Sequence, residues 1–195
     1  GWRGASRYYD PGYRDGFGLE CRAIKRLREE MGFDNVVVMI PFCRTPEEAD
    51  RVLEAMAEEG LTRGENGLEV YVMCEIPNNV ISIDDFARRF DGFSIGSNDL
   101  VQTVYAVSRD DLEHYAHPVD ARSPAAKAMI RQGIEAFRKR GLEIGICGQA
   151  PSDFPEITRW LVDQGIDSIS LNPDSVLKMT EVVVEMERQD RKSVV

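Results

Sequence analysis

Several apolar stretches of this sequence end in side chains that could bind a metal ion or an anion. The stretch 91–99, DGFSIGSND, closes with Gly96, Ser97, Asn98 and Asp99. A carboxylate there suits a hard cation such as Mg²⁺, while an asparagine and free backbone N–H groups suit phosphate or carbonyl oxygens. The alternative is a strand followed by an ordinary turn, because Ser, Asn and Asp are common turn residues.

A second carboxylate follows another apolar stretch, 68–75, which reads LEVYVMCE and ends at Glu75. If the two stretches are neighbouring strands, Glu75 and Asp99 lie close enough to share Mg²⁺, with substrate oxygens and water completing the shell. Taken alone, Glu75 is equally suited to capping or to a salt bridge before Pro77. The pairing of the two carboxylates is therefore what indicates a metal site.

Cys147 lies between Gly145 and Gly148, so little side-chain bulk screens it. A thiol with an unperturbed pKa of about 8.5 can donate or accept a proton near neutral pH. Nucleophilic catalysis would require a nearby imidazole, and both histidines, His114 and His117, fall in an irregular, charged stretch. The sequence favours proton transfer as the role of Cys147, and the alternative is an inert buried cysteine.

Arginines are the candidate groups for an anionic substrate. Arg3 and Arg7 flank a Gly-Ala turn in GWRGASR, and Arg109 follows the apolar segment after Asp99. Guanidinium groups bind phosphate and carboxylate through two parallel hydrogen bonds, and a chain of net charge −10 needs such local positive groups. The alternative for each is an ordinary surface arginine, which is how we interpret Arg44.

Apolar runs and helix signals alternate along the chain and define the elements that position these residues. β-Branched and apolar runs predict strands, and capping signals at Thr45-Pro46 and Ser123-Pro124 predict helix starts. The segment GWRGASR is a further candidate for a short strand. The strands are predicted at 36–41 (buried on both faces), 68–75, 91–96, 143–147 and 166–171, and helices at 13–31, 46–60, 83–90, 100–107, 124–141, 153–165 and 173–188.

This repeated βα pattern predicts an α/β fold with a parallel sheet and right-handed connections. No glycine-rich phosphate loop of the GxGxxG or GxxxxGK[ST] type is present. A doubly wound sheet collects its ligands at one switch point, whereas here five strand ends carry polar or reactive groups. A barrel is therefore favoured, with Arg3, Glu75, Asp99 and Cys147 sharing one cavity mouth.

Composition narrows the classes of function. The 195 residues, 43% hydrophobic and 30% charged, fit one soluble globular domain. The net charge argues against nucleic acid and acidic membranes as partners, and neither a membrane span nor a signal peptide is predicted. The four widely spaced cysteines indicate reduced thiols in a cytoplasmic protein. We predict a barrel segment over 1–188 and a polar tail over 189–195, and the start at Gly1 leads us to expect a longer parent chain.

Five motifs, GWRGASRYY, YVMCEIP, DGFSIGSNDL, GICGQAPSD and SLNPDSV, resemble the phosphoenolpyruvate- and pyruvate-binding barrel of the PEP-utilizing enzyme family. That family includes phosphoenolpyruvate synthase (pyruvate, water dikinase), pyruvate, phosphate dikinase and enzyme I of the sugar phosphotransferase system. The resemblance runs from Gly1 to about Val183 and implies a TIM-type (β/α)₈ barrel, truncated at its N-terminus by about two βα units. Gln149 and the APSD that follows it look most like the synthase.

The resemblance also implies roles for individual residues. Glu75 and Asp99 would bind Mg²⁺, and Arg3 would bind the phosphoryl group of the substrate. Cys147 would be the acid/base that exchanges a proton with the methyl carbon of pyruvate. The remaining substrate-side residues would be Gly96, Ser97, Asn98 and Arg109, although the sequence around 101–117 departs from the family pattern.

The parent enzyme implied by this resemblance forms phosphoenolpyruvate, AMP and phosphate from pyruvate, ATP and water through a phosphohistidine. Its nucleotide-binding and phosphohistidine domains would lie upstream, so this chain alone is expected to turn nothing over. Within the family, the alternatives are the dikinase that uses phosphate and enzyme I. The family barrel also carries a homodimer contact, so the alternative outside the enzyme class is a non-catalytic dimerisation module.

Overall fold

A parallel β-sheet organises the part of the chain that the structure, a computed structural model, describes, namely residues 2–108 and 119–193. Its five strands follow one another in chain order, and every neighbouring pair is parallel. A doubly wound sheet reverses its strand order at a switch point, whereas a barrel does not. The strands are β1 (Val38–Ile40), β2 (Val70–Cys74), β3 (Gly92–Gly96), β4 (Glu143–Cys147) and β5 (Ser168–Ile169).

Helices precede the first strand, connect successive strands and follow the last one, in agreement with the predicted βα pattern. They are α1 (Ala5–Tyr8), α2 (Arg14–Glu29), α3 (Pro46–Glu58), α4 (Pro77–Ile81), α5 (Ile83–Ala87), α6 (Ser97–Tyr105), α7 (Pro124–Arg138), α8 (Ala150–Asp153), α9 (Pro155–Gln164) and α10 (Val176–Ser193). Short 3₁₀ turns occupy Glu65–Gly67 and Pro173–Ser175. No helix in the described ranges has the length and apolar character needed to cross a membrane.

The two faces of the sheet differ in chemistry because side chains alternate along each strand. One face carries large apolar residues such as Val72, Phe93 and Ile144, which are buried beneath the helices. Phe93 contacts Phe137 of α7, with ring centroids 3.7 Å apart. The other face carries small or polar residues in β3, including Ser94, and it leads to the predicted site at the carboxyl ends of the strands.

The prediction that the first strand is buried on both faces is wrong. Ile40 is 2% exposed, whereas Val37 and Met39 are 41% and 42% exposed. β1 lies at the edge of the sheet among the described residues, so only the face beneath the helices is covered. A run of β-branched residues therefore marked the strand correctly but not the burial of both its faces.

Three local predictions also differ from the structure. The candidate strand in GWRGASR is instead helix α1, entered through Gly4 at φ 89°. Ser123 does not cap α7 with its side chain; its hydroxyl accepts the N–H of Asp120. Helix α6 begins at Ser97 rather than at 100, so the first three polar residues after β3 form a helical turn.

Acidic side chains hold the amino ends of the strands. Asp91 accepts the N–H of Val70 at 2.8 Å and receives two hydrogen bonds from Arg63, at 2.9 and 2.6 Å. Asp167 accepts the N–H of Ile144 at 2.9 Å in the same way. Each aspartate ties the start of one strand to its neighbour, at the end of the sheet opposite the predicted site.

Candidate functional site

The carboxyl ends of the strands bring the predicted site residues together. Glu75 follows the last residue of β2, Gly96 ends β3 and Cys147 ends β4. Gly96 and Cys147 are paired in the β3–β4 ladder, and Glu75 lies against Gly96 on its other side. Paired residues of neighbouring strands point to the same face of the sheet. The Glu75 carboxylate and the Cys147 thiol therefore lie on one face, with Gly96 between them.

Gly96 makes room for the Glu75 carboxylate. A Cβ at Gly96 would lie 2.7 Å from Glu75 Oε2 and 2.9 Å from Met73 Cε. A Cβ would also lie 2.9 Å from Glu75 Cβ, which is less free to move than the side-chain ends, so glycine at 96 lets the carboxylate lie over the end of β3. The missing side chain also leaves the space between Glu75 and Cys147 open.

The Glu75 carboxylate is buried, at 3% exposure, and is held by the backbone N–H of Phe42, which donates to Oε1 at 2.7 Å. Burial raises the pKa of Glu75, and the hydrogen bond from Phe42 offsets part of that rise. The negative charge of Asp99 raises the pKa further, while Arg3 lowers it. A carboxylate with this excess of nearby negative charge gains stability from a cation.

Arg3 and Asp99 form an ion pair, with Nη2 and Oδ1 3.5 Å apart. The guanidinium carbon of Arg3 also lies 4.2 Å from the centroid of the Phe42 ring. Gln102 donates to the same oxygen of Asp99 at 2.7 Å, from one turn further along α6. Asp99 is thus fixed by its own helix on one side and faces Arg3 on the other.

An open cavity of about 420 Å³ joins these groups. Its lining combines two guanidinium groups, three carboxylates and two phenol rings: Arg3, Arg7, Glu20, Glu75, Asp99, Tyr8 and Tyr13. The guanidinium carbon of Arg7 lies 3.9 Å from the centroid of the Tyr13 ring. In a chain of net charge −10, this cavity offers both a cation site and positive groups for an anion.

The carboxylates of Glu75 and Asp99 suit Mg²⁺ better than a metal ion whose ligands all come from the protein. Among the described residues there is no group of three or more His, Cys, Asp or Glu side chains that could hold an ion. Mg²⁺ commonly binds through one or two carboxylates and completes its shell with water and substrate oxygens. The donor set of Glu75 and Asp99 therefore fits Mg²⁺, and the open cavity leaves room for those further ligands.

Cys147 is half-buried, unlike the other three cysteines, which are fully buried. Burial raises the pKa of its thiol, and a hydrogen bond from the Ser94 hydroxyl partly offsets that effect. The carboxylates of Glu75 and Asp99 raise the pKa of Cys147 further. These surroundings favour the protonated thiol, which is the form that donates a proton.

The first turn of α6 is bound to the loop that follows Cys147. The Ser97 hydroxyl donates to the carbonyl of Cys147 at 2.8 Å, and Asn98 Nδ2 donates to Gln149 Oε1 at 3.2 Å. Gly148 adopts φ 100°, and a Cβ there would lie 2.3 Å from Ser97 Oγ. These contacts hold the N-terminus of α6 against the loop that begins at Cys147.

Phe42 and Arg44 are site residues that the sequence analysis missed. Phe42 supplies the N–H that holds Glu75 and the ring that contacts Arg3. Arg44 is not simply solvated: it donates to the carbonyl of Arg3 at 2.9 Å and to Ser6 Oγ at 3.4 Å. Their position directly after a predicted strand was the available signal, because residues there face the carboxyl end of the sheet.

Asn79 was also missed. It is fully buried and accepts the N–H groups of Glu75 and Ile76 with one side-chain oxygen. Asn79 is the third residue of a helix that begins with Pro77. At this position a side chain can hydrogen-bond to the backbone of the residue that caps the helix. Of the predicted substrate residues, Arg109 lies outside the described residues, as do His114 and His117.

Comparison with known proteins identifies the family. The profile described as "PEP-utilising enzyme, PEP-binding domain" matches residues 1–188. A protein named phosphoenolpyruvate synthase from Aquifex aeolicus is 59% identical over 189 residues, which cover 97% of this chain and 22% of that relative. Relatives of the same name from Synechocystis sp. and Escherichia coli are 57% and 47% identical, and each match covers 96% of this chain. The chain thus spans about a quarter or less of these relatives, 23% and 24% in the last two.

A solved structure supports the fold independently. A HpcH/Hpal aldolase/citrate lyase family protein from Burkholderia cenocepacia superposes with a TM-score of 0.54 at 18% sequence identity. The match covers 89% of this chain and 69% of that protein. Together with the sequential parallel sheet, it confirms the predicted TIM-type barrel fold, of which the described residues form five consecutive strands. On the strength of the profile match and these relatives, the chain belongs to the PEP-utilising enzyme family, as its PEP-binding domain.

Proposed function

We propose that the cavity binds pyruvate and phosphoenolpyruvate with Mg²⁺, and that the chain is the substrate-binding barrel of a phosphoenolpyruvate synthase. The observation that carries this proposal is the grouping of Arg3, Glu75 and Asp99 on one cavity. Cys147 is not among the residues that line this cavity; it pairs with Gly96 at the end of the neighbouring strand, where the charges of Glu75 and Asp99 raise its pKa. The complete enzyme would convert pyruvate, ATP and water into phosphoenolpyruvate, AMP and phosphate. It would be a cytoplasmic homodimer with nucleotide-binding and phosphohistidine domains elsewhere in its chain.

Glu75 and Asp99 would hold the metal ion at the ends of two adjacent strands. When bound, Mg²⁺ supplies stabilisation of the negative charge that develops on the substrate oxygen. Arg3 would pair with the phosphoryl group, since a guanidinium matches phosphate oxygens. Because Arg3 already faces Asp99 at 3.5 Å, phosphate and carboxylate would compete for the same guanidinium. Gly96, Ser97 and Asn98 would face the rest of the substrate from the start of α6.

Cys147 would exchange a proton with the methyl carbon of pyruvate. In the direction of phosphoenolpyruvate formation, a C–H bond breaks, its proton passes to the thiolate and its electron pair forms the enolate. The enolate oxygen then takes the phosphoryl group from the phosphohistidine, whose N–P bond breaks and whose imidazole is released. In reverse, the protonated thiol returns a proton to the methylene carbon, and the raised pKa of Cys147 favours that protonated form.

Two observations favour the synthase over other members of the family. The relatives that match at 47–59% identity carry the name phosphoenolpyruvate synthase. Gln149, which the sequence analysis associated with the synthase, hydrogen-bonds to Asn98 through its side chain. Arg109 remains a proposed substrate-side residue, outside the described residues.

Calorimetric titration of phosphoenolpyruvate into the protein with Mg²⁺ tests the proposal. Asp99→Asn removes one metal-binding charge, so we expect phosphoenolpyruvate affinity to fall by at least about tenfold. Asp85→Asn is the matched control, because Asp85 on α5 forms a salt bridge with the nearby Arg88 and does not line the cavity. Equal affinity in the Asp99 variant and the wild type would contradict the substrate site. Absence of any binding heat, together with dimerisation, would favour a non-catalytic assembly module.

A further inference from the structure

The backbone that carries Glu75 is fixed by one fully buried amide, Asn79. Asn79 Oδ1 accepts the N–H of Glu75 at 3.3 Å and the N–H of Ile76 at 3.2 Å. Its Nδ2 donates to the carbonyl of Cys43 at 2.8 Å. One side chain therefore joins the end of β2 to the loop that follows β1.

That loop contains a strained residue, Phe42, whose φ is +42°. A non-glycine residue in this region is strained and persists only where its surroundings hold it. The N–H of Phe42 is the group that binds Glu75 Oε1, and Cys43 is the next residue along the chain. The hydrogen bond from Asn79 to the Cys43 carbonyl therefore anchors the same loop, two peptide units after the N–H that orients the Glu75 carboxylate.

Asn79 thus reaches Glu75 by two routes, directly through the backbone N–H and indirectly through Phe42. From this geometry we infer that Asn79 is a positioning residue that sets the direction of the Glu75 carboxylate for a divalent cation. The inference rests on the proposed function, in which Glu75 is a metal ligand. A residue that only capped helix α4 would contribute to stability but not to metal affinity.

Titration with Mn²⁺ tests this inference, because carboxylate sites that suit Mg²⁺ also bind Mn²⁺ and the EPR signal of free Mn²⁺ reports binding without any turnover. For Asn79→Ala we expect the Kd for Mn²⁺ to rise about 10- to 100-fold, as is typical when a partner of a metal ligand is lost. Asn78→Ala is the matched control. Asn78 donates to the carbonyl of Arg44 at 2.7 Å, and its side chain does not bond the backbone N–H of Glu75, which pairs with Asn79 instead.

Two further variants make the outcomes decisive. We expect Glu75→Gln itself to weaken Mn²⁺ binding. Unchanged binding in this variant would contradict both the proposed metal site and the inference about Asn79. Phe42→Gly combined with Asn79→Ala removes the strain at position 42, since glycine adopts positive φ readily. We expect this pair to recover part of the Mn²⁺ affinity lost in Asn79→Ala, and to remain folded if the single variant does not.

The results separate positioning from stability. Circular dichroism melts identify the temperature range in which each variant is folded, and Kd values are compared there. A folded Asn79→Ala with wild-type Kd, while Glu75→Gln binds weakly, overturns the inference and leaves the proposed function intact. Failure of the double variant to regain any affinity overturns the route through Phe42.

Discussion

The thiol of Cys147 lies in surroundings that oppose its ionisation. Burial raises its pKa, the Ser94 hydroxyl lowers it in part, and the carboxylates of Glu75 and Asp99 raise it again. The other three cysteines, Cys21, Cys43 and Cys74, are buried, and burial raises their pKa values to about 11, 12 and 12. Cys147 is therefore the most accessible thiol and the one most sensitive to charge in the cavity.

We expect iodoacetamide to alkylate Cys147 before the other cysteines, with a rate that increases as the pH rises above about 8.5, the usual thiol pKa. The sign follows from the raised pKa, because only the thiolate reacts and its fraction grows at higher pH. Asp99→Asn removes one negative charge near the sulfur, so the midpoint of this profile should move to lower pH. Mass spectrometry of quenched samples measures both effects.

Asp85→Asn serves again as the control for Cys147, since Asp85 lies on the surface of α5 in a pair with Arg88. Its alkylation profile should match that of the wild type. Preferential labelling of Cys21, or a profile that Asp99→Asn leaves unmoved, would contradict the electrostatic description of the thiol.

At the scale of elements, the entry to α1 is packed directly onto the end of β1. Gly4 has φ +89°, and a Cβ there would lie 2.3 Å from Phe42 Cβ and 2.5 Å from the Phe42 carbonyl oxygen. That oxygen accepts the N–H of Ala5 at 3.3 Å and also contacts Arg44 Nη1 at 3.4 Å. The position of Arg3 over the Phe42 ring depends on this close approach.

We expect Gly4→Ala to displace Arg3 and to weaken phosphoenolpyruvate binding by about tenfold or more, because a small misplacement of a substrate-binding group is costly. Calorimetry with Mg²⁺ present measures the change. Gly64→Ala is a matched control, since Gly64 has φ +84° but no atom within 4 Å of an added Cβ. Its ψ of −18° differs from the −167° of Gly4, so this variant controls for an alanine at positive φ without a clash, and phosphoenolpyruvate affinity should be unchanged. Equal affinities for the two variants would refute the packing argument.

At the scale of the whole molecule, the two ends of the sheet have different roles. The carboxyl end gathers the charged cavity groups, whereas the amino end contains aspartates that tie neighbouring strands together. Burial alone would raise the pKa of Asp91, but hydrogen bonds from Arg63 and from the N–H of Val70 lower it below its usual value on balance. Asp91 therefore stabilises the folded chain in its ionised form.

For Asp91→Asn we expect the free energy of unfolding at neutral pH to fall by about 1–3 kcal/mol, the typical contribution of hydrogen bonds to a charged group. Because the folded pKa is depressed, the stabilisation is present above the unfolded pKa of about 3.9 and is lost as the pH falls through the folded value. Urea unfolding at neutral and acidic pH should therefore show that the free energies of unfolding of the variant and the wild type become equal in acid.

Binding provides the complementary check on Asp91→Asn. Since Asp91 lies at the amino end of the sheet, the folded variant should bind Mn²⁺ as the wild type does. A lower stability that persists unchanged in acid, or a loss of Mn²⁺ affinity, would show that the two ends are not independent.

The sequence by itself determined the order of elements and the main charged groups of the site. Strand and helix periods, and polar residues directly after strands, are local signals, so β4 (143–147) was predicted with its observed bounds. The same local rule selected Glu75, Asp99 and Cys147, because the carboxyl ends of parallel strands must share one edge of the sheet.

Only the tertiary structure decided how those groups are held. Phe42 acts through its backbone N–H and its ring, and Asn79 acts on a carbonyl 36 positions away in the chain. The sequence marks the positions of both residues, after a strand and in the first turn of a helix, but not their partners, because a backbone donor is the same in every residue and long-range pairing depends on the packing of whole elements. The exposure of Met39 was likewise decided by the place of β1 at the edge of the described sheet, which a run of apolar residues does not encode.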